Sequence, residues 1–167
     1  MITIRNAEPT DYEMVKMLED SIFLIHQQAR PDYFNSQAWY TKEEFEELLM
    51  LPTPISLVAV CDEQIVGICF GKIEQTSGNS FCKGRKIAVI EDLFTLPKYR
   101  GRGIASSLIK KAREQAVAEN AETLELCVWD FNTDALHLYE KLGMQVQYYR
   151  MEECLNDRTN TPEHPVK

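Results

Sequence analysis

Apolar residues change period several times along the chain, and each change marks an element. Ile2 to Arg5 alternates apolar and polar, which predicts a short first strand. Thr10-Asp11-Tyr12-Glu13 places Glu three residues after a Thr cap and opens a helix that runs to about Gln27. Met14, Val15, Leu18, Ile22 and Ile25 form its apolar face, while Glu13, Lys16, Glu19 and Asp20 are assigned to water. Pro31 disfavours helix at Arg30. Thr41 to Leu51 reads as a second helix with Phe45, Leu48 and Leu49 inward, stopped by Pro52 and Pro54. Ile55 to Cys61 and Ile65 to Ile73 read as central strands joined at Asp62-Glu63, with Gly67 and Gly71 marking bulges or close approaches. Gln75 to Gly84 is a polar hairpin loop.

Val89 to Leu96 is apolar and β-branched except for the adjacent Glu91 and Asp92, and Pro97 ends it as a strand. After Gly101 and Gly103 the period becomes helical, with Ala105, Leu108, Ile109, Ala112 and Ala116 on one face and Asn120 as terminator. Thr123 to Trp129 reads as a strand. Asn132 or Thr133 caps a helix with Ala135, Leu138, Tyr139 and Leu142 on its face, and Gly143 ends it. Gln145 to Cys154 is expected to hold a last strand or strand pair. The order is β-α-α-β-β-β-α-β-α-β: an α+β fold with a mixed, mostly antiparallel sheet flanked by helices. Residues 1–155 form one domain in this reading, and the polar residues 156–167 form a mobile tail.

Composition narrows the classes. The chain has 167 residues with 44% hydrophobic content, enough for one domain with a substantial core. No apolar run is long enough to span a bilayer and no basic-then-apolar leader follows Met1, so a soluble, cytoplasmic protein without a membrane partner is expected. The net charge of −8 argues against nucleic-acid binding; it serves solubility first and attraction of cationic substrates second. Cys61, Cys69, Cys82, Cys127 and Cys154 show no C-x-x-C spacing, and most sit in apolar strand contexts, so reduced core cysteines are expected. With three scattered histidines, no metal site is predicted.

The chemistry concentrates between the strand and the helix. Gly101 and Gly103 give a turn with no Cβ to block a ligand. The free N–H groups at the start of the following helix, its dipole, and Arg100 and Arg102 make an anion site suited to a phosphate or pyrophosphate. A Walker loop needs Gly-Lys-Ser/Thr, which is absent, and a dinucleotide fingerprint needs glycine where Ser106 stands. The remaining pattern, Arg100-x-x-Gly103-x-Ala105 after a strand, resembles the pyrophosphate loop of the GNAT superfamily of N-acetyltransferases. The segment Asn132 to Met144 strengthens the resemblance. Asn132, Ala135, Tyr139 and Gly143 match a second GNAT pattern, and Met144 stands where phenylalanine is usual. The likeness is close from Val89 to Met144; the earlier part matches only in order of elements.

The resemblance implies a coenzyme A cofactor, as acetyl-CoA. Backbone amides from Arg100, Gly101, Arg102, Gly103, Ile104 and Ala105 would hold its pyrophosphate. Leu93, Phe94 and Thr95 would bind the pantetheine arm as an added strand, one of their N–H groups serving as the oxyanion donor. Asn132 would hold the arm from the other side. Tyr139, a core residue by helical period alone, becomes the candidate general acid for the departing sulfur. In such proteins the segment after the first helix shapes the acceptor pocket, which makes His26, Arg30, Tyr33 and Phe34 candidates for substrate contact. Glu91 and Asp92 point to opposite faces of the strand. Glu91 shares parity with Leu93 and Thr95 and is favoured as the acid–base or cation-binding carboxylate; Asp92 and water remain open for that role. The pair also looks like the polyamine-acetylating branch of the superfamily.

An N-acetyltransferase is therefore expected, transferring directly in a ternary complex, because no cysteine sits where an acyl relay is expected. The acceptor is open between a polyamine-like amine, an aminoglycoside, an amino acid and a peptide. A longer acyl group is a further alternative. A non-catalytic acyl-CoA sensor on the same fold is the alternative of another class. A homodimer follows from family habit alone.

Overall fold

The computed structural model describes residues 1–36 and 40–155. Five apolar, β-branched segments form strands: β1 (Ile2–Asn6), β2 (Pro54–Cys61), β3 (Gln64–Gln75), β4 (Lys86–Thr95) and β5 (Thr123–Leu126). They make one sheet in the order β1-β2-β3-β4-β5. The first four pair antiparallel, and β5 joins β4 parallel after a helical crossover. The turn between β2 and β3 needs left-handed backbone at two residues, supplied by Asp62 and Glu63 at φ 50° and 63°.

Helices α1 (Tyr12–Ala29) and α2 (Lys42–Leu49) cover one face, and α3 (Ile104–Ala118) the other, with α4 (Thr133–Lys141) beside it. Val15, Leu18 and Phe45 pack with Val58, Ile68, Phe70 and Phe94; Ile104, Leu108, Ile109 and Ala112 pack with Leu57, Ala59, Cys69 and Ile90. Each core is the apolar stripe of its helix set on alternate strand positions.

The decisive irregularity is in β4. Its register against β3 steps from Phe70↔Asp92 to Gly71↔Ile90, so Glu91 is the extra residue of a bulge. Gly71 is required there, because a Cβ would collide with the Val89 carbonyl. The bulge inverts the side-chain alternation: Ala88 and Ile90 point to the α3 side, whereas Phe94 points to the α1 side. β5 accompanies β4 only from Ile87↔Thr123 to Ile90↔Leu126. Beyond that point the two chains splay, and one edge of β4 is without a strand partner among the described residues.

Several expectations need correction. No strand forms in residues 145–154, and β5 stops at Leu126. Gln145 to Cys154 has strand propensity but no core face to bury. Val146, Tyr148, Tyr149, Met151 and Leu155 are all exposed, and propensity without burial does not make a strand. Glu19 is not in water: it is 8% exposed, whereas Ile25, expected inside, is 38% exposed. The first helix is entered through a reciprocal Glu8–Asp11 box rather than through Thr10 and Glu13, with Asp11 held by Arg5 at 2.7 Å. Only Cys61 and Cys69 are core cysteines; Cys82, Cys127 and Cys154 are exposed. The tail expected at 156–167 lies outside the described residues. Among the described residues, no helix is long and apolar enough to cross a membrane.

Candidate active site

The glycine loop sits at the end of β4. Gly101 and Gly103 have φ of 73° and 76°, the left-handed region that a side chain resists, and a Cβ at either would meet nothing within 4 Å. Both glycines therefore serve conformation and leave an open surface over the loop. Gly103 is the N-cap residue of α3, whose first-turn amides have no intrahelical acceptor. Arg102 lies over the Tyr99 ring at 5.1 Å, and Arg100 donates to the Thr95 carbonyl at 3.3 Å. One arginine is thus stacked at the loop and the other is tied back to the strand.

A narrow cavity of about 70 Å³ occupies the splay between β4 and β5. Glu91, Asp92, Leu93, Cys127, Asn132 and Tyr139 are among its lining residues. Asn132 caps α4 by accepting from the Ala135 amide at 3.4 Å. Gly143, at φ 83°, closes that helix. Tyr139 therefore projects from a helix fixed at both ends. Burial raises its phenol to about 12, with a smaller contribution from Cys69, so the hydroxyl keeps its proton at neutral pH.

A larger cavity of about 280 Å³ opens on the α1 side, lined by Glu19, Ile22, Phe23, His26, Phe34, Tyr40, Asp92 and Trp129. The two cavities share Ile22, His26, Asp92 and Trp129, so Asp92 stands at their junction. The aromatic wall is packed ring against ring: Phe34 lies edge-on 5.5 Å from Trp129, and His26 lies edge-on 5.8 Å from Phe131 and tilted 5.2 Å from Phe34. The His26 ring is oriented by its Nδ1, 2.9 Å from the Ile22 carbonyl.

Both carboxylates of the larger cavity resist ionisation. Burial, followed by the charge of Glu91, raises Asp92 to about 6, against a lowering by His26. Burial, followed by the charges of Asp92 and Asp20, pushes Glu19 further, to about 9. Of the two, Asp92 is the more readily ionised.

The residues singled out in the sequence divide into three groups. Leu93, Phe94 and Thr95 follow the bulge on the β4 segment that β5 leaves unpaired, and the loop residues 100–105 follow at its end. His26, Phe34 and Asp92 line the larger cavity, and Glu91 lines only the narrow one, exposed and 3.5 Å from Lys72. Arg30 and Tyr33 line neither; they back the wall from outside. Arg30 lies over Trp129 at 5.3 Å and pairs with Asp32 and Glu152 at 2.8 and 2.7 Å, and Tyr33 lies 5.1 Å from Trp129. Glu19, Ile22, Phe23, Tyr40 and Trp129 were not picked out as site residues. Glu19 was findable: it lies four residues after Val15 and three before Ile22, on the inward face of α1. Cys127 lines the narrow cavity, a position the sequence reading did not give to any cysteine.

Relatives of this chain lie at several distances. Bovine (Bos taurus) thialysine N-epsilon-acetyltransferase is 46% identical over 63 residues, which cover 38% of this chain and only 36% of that enzyme. An uncharacterised N-acetyltransferase of Archaeoglobus fulgidus is 32% identical over 138 residues, 81% of this chain and 88% of that protein. Among solved structures, a single-site mutant of the BH1408 protein of Bacillus halodurans superposes with a TM-score of 0.88 at 29% identity, covering 92% of this chain and 99% of that one. The aminoglycoside N-acetyltransferase AAC(6')-Iy, solved in complex with CoA, has a TM-score of 0.67 at 20% identity over 91% of this chain and 100% of that one. The acetyltransferase (GNAT) family matches residues 20–144. With that match over most of its length, the chain belongs to the acetyltransferase (GNAT) family.

Proposed function

We propose that this protein is an acetyl-CoA-dependent N-acetyltransferase acting on a small primary amine held in the α1-side cavity. The observation that carries this reading is the position of Asp92, half-buried at the junction of the two cavities, with Tyr139 on the narrow side. An amine entering from the larger cavity and a thioester lying along β4 would meet there.

The residues fit the cofactor. The free edge of β4 after Ile90 offers backbone N–H and C=O groups to an extended arm, as an added strand would need. The open surface over Gly101 and Gly103 and the first-turn amides of α3 suit a pyrophosphate. Bound acetyl-CoA supplies an acetyl thioester, whose C–S bond breaks as the amine N–C bond forms. Asp92 takes the proton of the ammonium, since an alkylamine is charged at neutral pH and attacks only when neutral. Its raised pKa brings it nearer the working pH than an ordinary carboxylate. Tyr139 holds its phenolic proton for the leaving sulfur. The aromatic faces of Phe34 and Trp129 suit a cation on its way to Asp92. Glu91, at the bulge and paired with Lys72, contributes charge beside Asp92. The domain 1–155, acting alone or as a homodimer, carries the whole site in this reading.

The test is coenzyme A release from acetyl-CoA across a panel of alkyl amines, aminoglycosides, amino acids and short peptides. Release that requires a primary amine is expected. Tight acetyl-CoA binding without release for any acceptor would leave the sensor reading in its place.

A further inference from the structure

One buried group is not used by the transfer chemistry. Glu19 is 8% exposed and lines the larger cavity, and its Oε1 has no hydrogen-bond partner among the described residues. The Tyr40 hydroxyl, on the same cavity, is also buried without a partner among those residues. Buried polar atoms are nearly always satisfied, so two orphans facing one cavity point to a ligand that satisfies them. The neighbouring cation does not answer Glu19: Lys16 is held by Asp20 at 2.8 Å. Arg30, behind Trp129, is occupied by Asp32 and Glu152. No Lys or Arg is among the residues that line this cavity, which presents two carboxylates, the Tyr40 hydroxyl, the His26 imidazole and aromatic faces. No group of three or more His, Cys, Asp or Glu among the described residues is placed to hold a metal ion.

We propose that Glu19 selects the acceptor: with Asp92 it receives an aliphatic primary amine whose chain carries no carboxylate, a simple alkyl amine or diamine rather than an amino acid. The proposal rests on the acetyltransferase reading above. An ammonium offers three donors to Glu19, Asp92 and the Tyr40 oxygen. A carboxylate on the acceptor would enter a cavity with no Lys or Arg among its lining residues and with Asp92 already ionised, whereas the charge of an ammonium draws Glu19 into its ionised form; the difference disfavours an acceptor that carries its own carboxylate.

The experiment compares 1,5-diaminopentane with lysine, which differ by one carboxylate, using the full chain and acetyl-CoA. For the wild type, kcat/KM is expected to favour the diamine about tenfold or more. Glu19→Gln should raise KM for the diamine about tenfold, change kcat little, leave coenzyme A affinity unaltered, and bring the diamine-to-lysine ratio close to unity. An unchanged KM and an unchanged ratio in Glu19→Gln would overturn the role of Glu19. So would a wild type that acetylates lysine as well as or better than the diamine, while the enzyme reading stood. A wild type that acetylates no amine at all would instead overturn the enzyme reading. Should Glu19→Gln fail to fold, calorimetric titration of the coenzyme A-loaded wild type decides: tighter diamine supports the proposal, and equal or tighter lysine overturns it.

Discussion

The two sides of the site are built in opposite ways. On the proposed cofactor side the groups are backbone, contiguous in sequence: the β4 edge after the bulge, then the loop 100–105 and the first turn of α3. On the acceptor side they are side chains from separate places: Glu19, Phe23 and His26 on α1, Phe34 and Tyr40 from the segments beyond it, Asp92 from β4 and Trp129 after β5. Backbone recognition tolerates most side-chain changes and fails where a Cβ or a charge enters the path. Side-chain recognition changes with single substitutions. One fold with such a division keeps a fixed donor end and an adjustable acceptor end.

The largest effect is expected where the two sides meet. Tyr139→Phe removes the proton held for sulfur and should lower kcat by about 10²–10⁴, the range of general acid catalysis. Coenzyme A affinity should stay within about twofold, because one hydroxyl is a small part of the cofactor contact. Equal turnover in single-turnover kinetics would return Tyr139 to a packing role. Next in size is the double change Arg102→Glu with Gly103→Asp. It reverses a charge at the helix start and puts a side chain where φ is 76°. Calorimetry should show coenzyme A binding weakened about a hundredfold. Unaltered binding would remove the loop from the cofactor side.

That division also explains what was legible in the sequence. The second half of the chain carries its proposed site in local patterns: glycines at fixed spacing, a helix cap, a tyrosine seven residues after Asn132. These were readable because the groups that cooperate are neighbours along the chain. The acceptor cavity was legible only in part, at His26, Phe34 and Asp92, for two physical reasons. The β4 bulge shifts side-chain parity by one, so strict alternation could not show that Asp92, rather than Glu91, lies under α1. Glu19 was assigned to solvent by its charge although its spacing from Val15, Leu18 and Ile22 puts it inside. Polarity prevailed over periodicity at a buried carboxylate that lines the larger cavity. The missing last strand is the same lesson reversed: Gln145 to Cys154 had propensity, and burial was lacking.

The acceptor side is sharpened by Asp92→Asn. An asparagine at the junction of the cavities cannot take the ammonium proton, so kcat/KM should fall about tenfold to a hundredfold. The wild-type pH profile carries the same information. In the proposed role Asp92 acts when ionised, and it is raised to about 6, so kcat/KM should fall as pH drops through that value. The variant should lose this acid limb. An acid limb that persists unchanged in Asp92→Asn would take the role away from Asp92.

The smallest effect is on stability, and its sign separates the two sides most cleanly. The folded-state pKa of Glu19 lies above its unfolded value, about 9 against 4.5, chiefly because burial penalises the charged form. Its favourable contribution is complete below the unfolded pKa and is lost progressively as pH rises towards the folded value. At about pH 8 the wild type therefore bears a cost that Glu19→Gln does not, and the variant should melt higher by roughly 2–4 °C for each kcal/mol relieved. At about pH 4 both side chains are largely neutral and the two melting temperatures should nearly coincide. No loop substitution on the cofactor side is expected to stabilise, since Gly101 and Gly103 already hold the conformation that other residues resist. A Glu19→Gln protein that melts lower under the alkaline condition would show Glu19 to be satisfied within the fold. A higher melting point there, combined with a raised KM for the diamine, would mean that the acceptor cavity is kept at the expense of stability, as binding sites with buried charge require.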